Sequence, residues 1–289
     1  MKTGIIDIGS NSVRLALSAD GKTLYKRIKT TRLSEGLALS GVLFPVAIER
    51  TAKAVADFRA QAEKDGAESV FAFATAAVRA ASNGYEFTKY CRERYGIDID
   101  VIDGDTEAKI ALLGALGNAD GGIIDLGGAS CEVTVREGGK TTYSKSVNVG
   151  AVRLLDECGR DRDKLEKFIA EKLKEYGTVD ASKYDMYGVS GTATTLAAVK
   201  HKLKVYEPEI VHGTVMTVAE VGALADKFLS MTVKEIEALG DVVIWRADVI
   251  AGASLYLFRL MQYMNIQKMT VSENDNLEGY LIYKCGGRL

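Results

Sequence analysis

The chain contains two closely similar strings, GIIDIGSNS at residues 4–12 and GIIDLGGAS at residues 122–130. Each begins with a short apolar run that ends on an aspartate, turns through glycine, and ends on a small hydroxyl residue. Apolar segments of similar type follow, VRLAL and CEVTV. Because apolar runs on either side of a Gly-containing turn are typical of a β-hairpin, we interpret the two strings as one hairpin present in two related domains.

The predicted elements repeat in the same way. In each half, three strands precede helices that alternate with further strands, and this pattern favours mixed α/β domains. The segment GNADGG separates the halves, with no Pro/Ser-rich linker. We therefore predict domains of residues 1–117 and 118–289, with the alternative that the final helix, near 276–285, crosses back to the first domain.

Two helix signals are specific enough to test. Thr217 followed by Glu220 predicts a capping box at the start of a helix. Residues 246–263 predict one long apolar helix, favoured as core, with a dimer contact and hence a homodimer as the alternative.

The bulk composition excludes several classes of protein. A formal charge of -2 gives no whole-molecule attraction for nucleic acid or for an acidic membrane, so an anionic ligand needs a local basic site. Four cysteines lie far apart without a CxxC pair, which argues against structural zinc and favours a reducing cytoplasm. We expect no signal peptide and no membrane span.

The chain has only two histidines, His201 and His212, which weakens any reading that needs a Ser–His or Cys–His pair. The two Gly turns suggest other chemistry, because successive backbone N–H groups in such a turn can bind an anion. Asp7 or Asp125 at the strand end could hold hydrated Mg²⁺ beside phosphates. A third turn, SGTATT at residues 190–195, begins a helix whose first amides could also receive an anion.

Together these segments resemble the exopolyphosphatase/guanosine pentaphosphate phosphohydrolase (Ppx/GppA) family, whose fold is that of actin, the sugar kinases and Hsp70. The segments that carry the resemblance follow in order along almost the whole chain: IDIGSNSVRL, TRLSEGL, ATAAVRAASNGYEF, GDTEAKIALLG, DLGGASCEV, VNVGAVRL, VSGTATTLAA, HG and RADVIAGA. The resemblance implies two ribonuclease H-like (actin-like ATPase) domains with an interdomain cleft.

The resemblance also implies roles for individual residues. Glu107 matches the catalytic glutamate and Glu132 the second central carboxylate, while Asp125 and Glu132 match the contacts of a metal, Mg²⁺ or Mn²⁺. The residues that would bind substrate are Gly9, Ser10, Asn11, Ser12, Arg32, Arg79, Gly127, Gly128, Ala129, Ser130, Gly191 and Thr192.

Some positions depart from the family pattern. Thr106 replaces a glutamate beside Glu107, and Ala129 replaces a glycine of the second turn. The segment SENDNLEG at 272–279 lacks a glycine and an arginine of the family's version. Longer members carry further C-terminal domains, so we expect this chain to favour short substrates.

The implied function is cytoplasmic hydrolysis of the terminal phosphoanhydride of inorganic polyphosphate, by metal-assisted attack of water. Three alternatives stay open at this point. The substrate could be guanosine pentaphosphate; the protein could be a sensor that binds polyphosphate or guanosine tetraphosphate without turnover; or it could be a small-molecule kinase on the same fold, which the two glutamates disfavour.

Overall fold

The computed structural model describes residues 1–285 and divides the chain into two compact units. One unit is Met1–Gly117 together with the chain from Asn274 onward, and the other is Asn118–Glu273. The C-terminal helix therefore belongs to the first unit, and the second unit ends before it.

The first unit is built on one mixed sheet. Its strands are β1 (Lys2–Ile8), β2 (Ser12–Ala19), β3 (Lys22–Thr30), β4 (Ser69–Ala74) and β5 (Asp100–Val101). Their order across the sheet is β3-β2-β1-β4-β5, with β1, β4 and β5 parallel and β2 antiparallel to both of its neighbours. Because parallel strands end at the same edge, the segments that follow β1, β4 and β5 emerge together.

The helices of the first unit cover this sheet. They are α1 (Leu37–Ser40), α2 (Pro45–Lys64), α3 (Ala76–Ala80), α4 (Gly84–Tyr95), α5 (Gly104–Leu116) and, at the end of the chain, α14 (Asn276–Cys285). The first residue of α2 is proline. Proline fits there because the first N–H groups of a helix have no intrahelical acceptor, so its lack of an N–H costs no hydrogen bond.

Helices α5 and α14 cross at very short range because each has glycine at the crossing. A Cβ on Gly114 would lie 1.9 Å from the Asp275 carbonyl oxygen, and one on Gly279 would lie 1.7 Å from the Ile110 carbonyl oxygen. Beneath them, an apolar cluster that includes Phe73 and Tyr280 joins both helices to the sheet. This packing fixes α5, the helix that carries Glu107.

The second unit repeats the arrangement of strands. Its strands are β6 (Gly121–Leu126), β7 (Cys131–Glu137), β8 (Lys140–Val147), β9 (Met186–Val189), β10 (Val215–Thr217) and β11 (Lys268–Val271). Their order is β10-β11-β9-β6-β7-β8, with β6, β9 and β11 parallel. The hairpin β6–β7 with its neighbours β8 and β9 therefore matches β1–β2 with β3 and β4.

The remaining helices belong to the second unit. They are α6 (Ala151–Cys158), α7 (Arg162–Leu173), a short 3-10 turn (Lys174–Tyr176), α8 (Ser190–Lys200), α9 (Pro208–Val211), α10 (Val218–Ser230), α11 (Val233–Glu237), α12 (Asp241–Ile244) and α13 (Ile250–Tyr263). No helix within residues 1–285 has both the length and the apolar character needed to cross a membrane.

The two helix predictions had different outcomes. The capping box is confirmed: the Thr217 hydroxyl accepts from the Glu220 N–H, and the Glu220 carboxylate accepts from the Thr217 N–H. The single helix over 246–263 is wrong in its first turn, since residues 245–249 form turns and α13 begins at Ile250. The Arg246 side chain is directed against Gly191 on α8, a contact that periodicity does not reveal.

Candidate active site

The two hairpin turns have the same backbone geometry. Between β1 and β2 the Gly9 N–H donates to the Ser12 carbonyl oxygen at 3.0 Å. Between β6 and β7 the Gly127 N–H donates to the Ser130 carbonyl oxygen, also at 3.0 Å. Ser12 and Ser130 are both buried. The repeat seen in the sequence is therefore a repeat of structure.

Backbone N–H groups of the segment after β3 donate hydrogen bonds to the carbonyl oxygens of the first turn. The Ser34 N–H donates to Ser10 at 3.1 Å, and the Thr31 and Arg32 N–H groups donate to Asn11 at 3.0 and 2.8 Å. Arg32 adopts a left-handed backbone with φ 49°, which is uncommon outside glycine. Such backbone strain is maintained only where surrounding contacts enforce it, and here the contacts are with the turn.

The segment after β8 does the same for the second turn. The first two residues of α6 donate their N–H groups to the carbonyl oxygens of Gly127 and Gly128, each at 2.9 Å. The Arg153 side chain donates to the Ala129 carbonyl oxygen at 3.1 Å. A Cβ on Gly150 would lie 2.4 Å from the Gly128 carbonyl carbon, so this close approach requires glycine.

The backbone N–H groups of both turns differ from the carbonyl oxygens in their hydrogen bonding. Within residues 1–285, the N–H groups of Ser10, Asn11, Gly128 and Ala129 donate no hydrogen bond that the structure records. Each turn thus has its carbonyl oxygens paired with donors and its amides available. Successive amides without protein acceptors are a backbone anion site.

The hairpins differ in the residue opposite the aspartate that both contain. In the first hairpin Asp7 pairs in register with Arg14, whose Nη2 lies 2.5 Å from Asp7 Oδ2. In the second hairpin Asp125 pairs in register with Glu132. Both carboxylates of the second hairpin are buried, and the Ser146 hydroxyl donates to Glu132 Oε1 at 2.5 Å.

Arg14 joins the first hairpin to the C-terminal segment. Its Nη1 also donates to Asp275 Oδ2, and the Asp275 Oδ1 accepts from the Leu277 N–H at the start of α14. Burial has the largest single effect and raises the pKa of Asp275. The charges of Arg14 and Lys26, together with the hydrogen bonds from the Leu277 N–H and from Arg14, outweigh it and lower the pKa of that carboxyl. Burial raises the pKa of Asp7, with Arg14 opposing. The SENDNLEG segment therefore anchors α14 to the first unit.

Glu107 lies in the first turn of α5 and is buried. Arg79 Nη1 donates to Glu107 Oε2 at 2.9 Å and to the Ile102 carbonyl oxygen at 2.9 Å. Thr106, which replaces a glutamate of the family pattern beside Glu107, donates its N–H to the helix-capping carboxylate of Asp103 at 2.7 Å. The replacement therefore leaves the start of the helix intact. Arg79 thus fixes the orientation of the predicted base.

The third turn is bound to the second. The hydroxyl groups of Ser190 and Thr192 donate to the Leu126 carbonyl oxygen at 3.2 and 3.3 Å, immediately before the Gly127 turn. Ser190 has a left-handed backbone with φ 62°, and Gly191 lies against the Arg246 guanidinium. Sequence reasoning placed Arg246 only at the start of a predicted helix and gave it no role at this turn.

Each unit brings its own predicted residues together. In the first unit the Gly9 turn, Arg79 and Glu107 follow the carboxyl ends of β1, β4 and β5, and Arg32 binds the turn. In the second unit the Gly127 turn, Asp125, Glu132, Gly191 and Thr192 gather at the carboxyl ends of β6 and β9. The predicted cleft between the domains stays a prediction.

The donors of the second hairpin fit a Mg²⁺ ion. Residues opposite one another on antiparallel strands have Cβ atoms about 4.5–5.5 Å apart, so Asp125 and Glu132 place two buried carboxylates side by side. Mg²⁺ is usually held by one or two carboxylates with phosphates and water, so a set of two is sufficient. Within residues 1–285, the structure contains no group of three or more His, Cys, Asp or Glu that could hold a metal ion. In the first hairpin, Asp7 Oδ1 is buried without a hydrogen-bond partner.

The sequence matches the model of the Ppx/GppA phosphatase family over residues 15–285. The chain belongs to the Ppx/GppA phosphatase family. The resemblance inferred from its segments is thereby confirmed, and with it the hydrolase class. A solved structure of the Aquifex aeolicus PPX-GPPA enzyme superposes with a TM-score of 0.79 at 28% identity, covering 98% of this chain and 99% of that one. The mixed α/β, actin-like fold is confirmed as well.

Relatives of the family carry several names. Exopolyphosphatase 2 of Mycobacterium tuberculosis is 28% identical, over 99% of both chains. The bifunctional 3-dehydroquinate synthase/phosphatase of Fusobacterium nucleatum is 30% identical over 96% of this chain. The guanosine-5'-triphosphate,3'-diphosphate pyrophosphatase of Photobacterium profundum is 26% identical over 98% of it. The chain spans 46% and 59% of the lengths of the last two.

Proposed function

We propose that this hydrolase releases orthophosphate from the end of inorganic polyphosphate. Support comes from its full-length similarity to an exopolyphosphatase. The structural observation that carries the proposal is the pair of matched turns, whose carbonyl oxygens are occupied and whose amides have no protein acceptor. Such turns suit a ligand with many negative oxygens and make no demand on the rest of its structure.

Each turn would bind phosphate oxygens through its own amides, those of Ser10 and Asn11 in the first unit and those of Gly128 and Ala129 in the second. The hydroxyl groups of Ser12 and Ser130 would add short donors, and the start of α8 at Gly191 and Thr192 would add helix amides. Arg32 and Arg79 supply guanidinium groups, which can bind phosphate oxygens in a bidentate manner.

Glu107 would act as the general base. It accepts a proton from water as the water oxygen bonds to the terminal phosphorus, and the bond from that phosphorus to the bridging oxygen breaks. The electron pair of the broken bond stays on the shortened chain, and the product is orthophosphate. Arg79 keeps the Glu107 carboxylate oriented through the contact at 2.9 Å.

Asp125 and Glu132 would hold Mg²⁺, or Mn²⁺. A bound divalent cation would neutralise negative charge that develops on the phosphate oxygens. The carboxylates of the site would otherwise repel an anionic substrate, so these residues make turnover dependent on the metal. The Ser146 hydroxyl holds Glu132 in position.

Hydrolysis of guanosine pentaphosphate to the tetraphosphate is the second candidate. The relative named for a guanosine pyrophosphatase matches over nearly the whole of this chain. Both substrates present a terminal phosphoanhydride, so the turns and Glu107 serve either.

The test is orthophosphate release with Mg²⁺ from tripolyphosphate, long-chain polyphosphate and guanosine pentaphosphate, by wild type and Glu107→Gln. We expect the variant to lose about 10²–10⁴ in kcat with KM nearly unchanged, because general bases contribute that much. Asp105→Asn, an exposed carboxylate in the same helical turn, is the matched control and should stay active. Full activity in Glu107→Gln would remove Glu107 from the mechanism, and the ranking of substrates tests the expected preference for short chains.

A further inference from the structure

Helix α6 binds the second turn through three successive peptide groups. The first three N–H groups of α6 donate to the carbonyl oxygens of Gly127 and Gly128, at distances of 2.9 to 3.1 Å. The side chain of Arg153, the third residue of the helix, donates from Nε to the Ala129 carbonyl oxygen at 3.1 Å. Every carbonyl oxygen from Gly127 to Ala129 therefore accepts a hydrogen bond from α6.

The N–H groups of the same three peptides point away from α6. All peptide bonds here are trans, and in a trans peptide the N–H and the carbonyl lie on opposite sides. These N–H groups belong to Gly128, Ala129 and Ser130, and within residues 1–285 the structure records no acceptor for them. A hydrogen bond to the carbonyl oxygen polarises a peptide and strengthens its N–H as a donor. Helix α6 is thus placed to strengthen three amides that can bind an anion.

Arg153 brings a full positive charge to this contact. In the part of the chain that the structure describes, the bond to Ala129 is the only hydrogen bond recorded for its guanidinium, and no ion pair with Asp or Glu is recorded. The helix beneath it is fixed, because the neighbouring Leu154 is fully buried in the core. A hydrogen bond from an ionised donor is stronger than one from a neutral donor. The peptide between Ala129 and Ser130 therefore has the strongest polarising partner of the three.

The first turn has a weaker form of this arrangement. Its carbonyl oxygens accept from neutral donors, among them the backbone N–H groups of Thr31, Arg32 and Ser34. The side chain of Arg50, on α2, donates to the Thr31 carbonyl oxygen at 2.6 Å, which places its charge one peptide group further from the turn. Its Nη2 also lies 3.4 Å from the exposed carboxylate of Glu35. The longer path and the ion pair both weaken the effect of Arg50 on the first turn.

We propose that Arg153 is a positioning residue whose charge, acting through the Ala129 carbonyl, makes the second turn the tighter of the two phosphate sites. The inference rests on the proposed function, because it takes both turns as phosphate sites. Arg153 has no need to touch the substrate. It holds the carbonyl oxygen of one peptide, and the Ser130 N–H of that peptide donates to a phosphate oxygen.

Arg153→Gln and Arg153→Lys separate the charge from the hydrogen bond. Glutamine carries an N–H donor at the same distance along the side chain as arginine Nε, so it can keep the bond to Ala129 without the charge, whereas lysine keeps the charge. Calorimetry measures binding of tripolyphosphate with Mg²⁺ in the Glu107→Gln background. We expect Kd to rise about tenfold in Arg153→Gln and much less in Arg153→Lys. Unchanged affinity in Arg153→Gln, or equal losses in both variants, overturns the proposal.

Two further variants make the same change of net charge. Lys167→Gln, exposed on α7, should bind as the parent does, and a loss equal to that of Arg153→Gln would reduce the effect to net charge and overturn the proposal. Arg50→Gln should weaken binding less than Arg153→Gln, because its charge lies one peptide further away. A loss at Arg50 as large as that at Arg153 would contradict the ranking of the two turns.

Kinetics separate this inference from the proposed function. With Glu107 intact, Arg153→Gln should raise KM for tripolyphosphate about tenfold and leave kcat and the thermal midpoint nearly unchanged, since it weakens binding alone. A lower thermal midpoint with unchanged KM would assign Arg153 a structural role only and overturn the inference. Weaker binding in Arg153→Gln, in a chain that hydrolyses none of the substrates, would sink the proposed function and leave this inference standing.

Discussion

The two hairpins have the same backbone geometry but differ in the charge that lies opposite the aspartate. Each turn is closed by the same 3.0 Å hydrogen bond, and each has its carbonyl oxygens occupied by the segment that follows the third strand. Opposite the aspartate, however, the first hairpin has Arg14 and the second has Glu132. In the first, a cation compensates the aspartate and ties it to Asp275; in the second, two buried carboxylates stand side by side.

This difference shows how two copies of one structural element can have different roles, one in stability and one in chemistry. A buried carboxylate that contacts a guanidinium is compensated within the fold, so it contributes to stability only as long as both partners remain. Two adjacent carboxylates are unfavourable by themselves and become favourable when a divalent cation joins them. The first hairpin is thus specialised for holding the C-terminal helix, and we expect the second to hold the metal.

The largest effect should follow from removing the compensating cation. Arg14→Met leaves Asp7 and Asp275 buried without it, and breaking such a pair costs about 3–5 kcal/mol. Urea unfolding measures this loss, with Arg94→Gln, an exposed arginine of α4, as the control within about 0.5 kcal/mol of wild type. Arg14→Lys should recover part of the stability. An unchanged midpoint in Arg14→Met would mean that the first hairpin does not depend on its ion pairs.

The counterpart substitution in the second hairpin should act on turnover instead. Glu132→Gln removes one of two opposed carboxylates but keeps an acceptor for Ser146, so the thermal midpoint should stay level or rise. Phosphate release should fall about 10²-fold, and more Mg²⁺ should be needed for half-maximal activity. Glu137→Gln, exposed at the end of the same strand, should behave as wild type in the same assays. Destabilisation without loss of turnover would reverse the roles assigned to the hairpins.

The smallest effect concerns pH. Burial raises the pKa of Asp275, but Arg14, Lys26 and the Leu277 N–H together lower it below 3.8. The stability from the ionised form is therefore present above pH 3.8 and is lost as pH falls through the lower folded value. Asp7, whose pKa burial raises, acts in the opposite direction, and Asp275→Asn leaves it in place. We expect wild type to exceed Asp275→Asn by about 1.5–3 kcal/mol at pH 7, with the difference shrinking in acid. Urea unfolding at pH 7, 5 and 3 tests this; a constant difference would contradict it.

Sequence reasoning succeeded where the information is local. The two turns, the capping box at Thr217 and the family follow from residues near one another in the chain, because turn and cap chemistry depend on short spacings. It did not find the Arg14–Asp275 pair, whose members are 261 positions apart, or the contact of Arg246 with Gly191. The roles of Glu107, the metal contacts, the homodimer and the cytoplasmic location stay predictions.

By itself, the sequence determined that this protein has two copies of a strand–turn–strand unit in an α/β fold of a phosphatase family. The pattern of apolar runs, glycines and hydroxyl residues is sufficient for that, since backbone geometry of this kind is specified locally. Only the tertiary structure decided which aspartate is compensated by arginine, which is paired with glutamate, and that Arg79 orients Glu107. Those contacts arise from sheet register and from helices that meet across long stretches of chain, where charge and burial act through space.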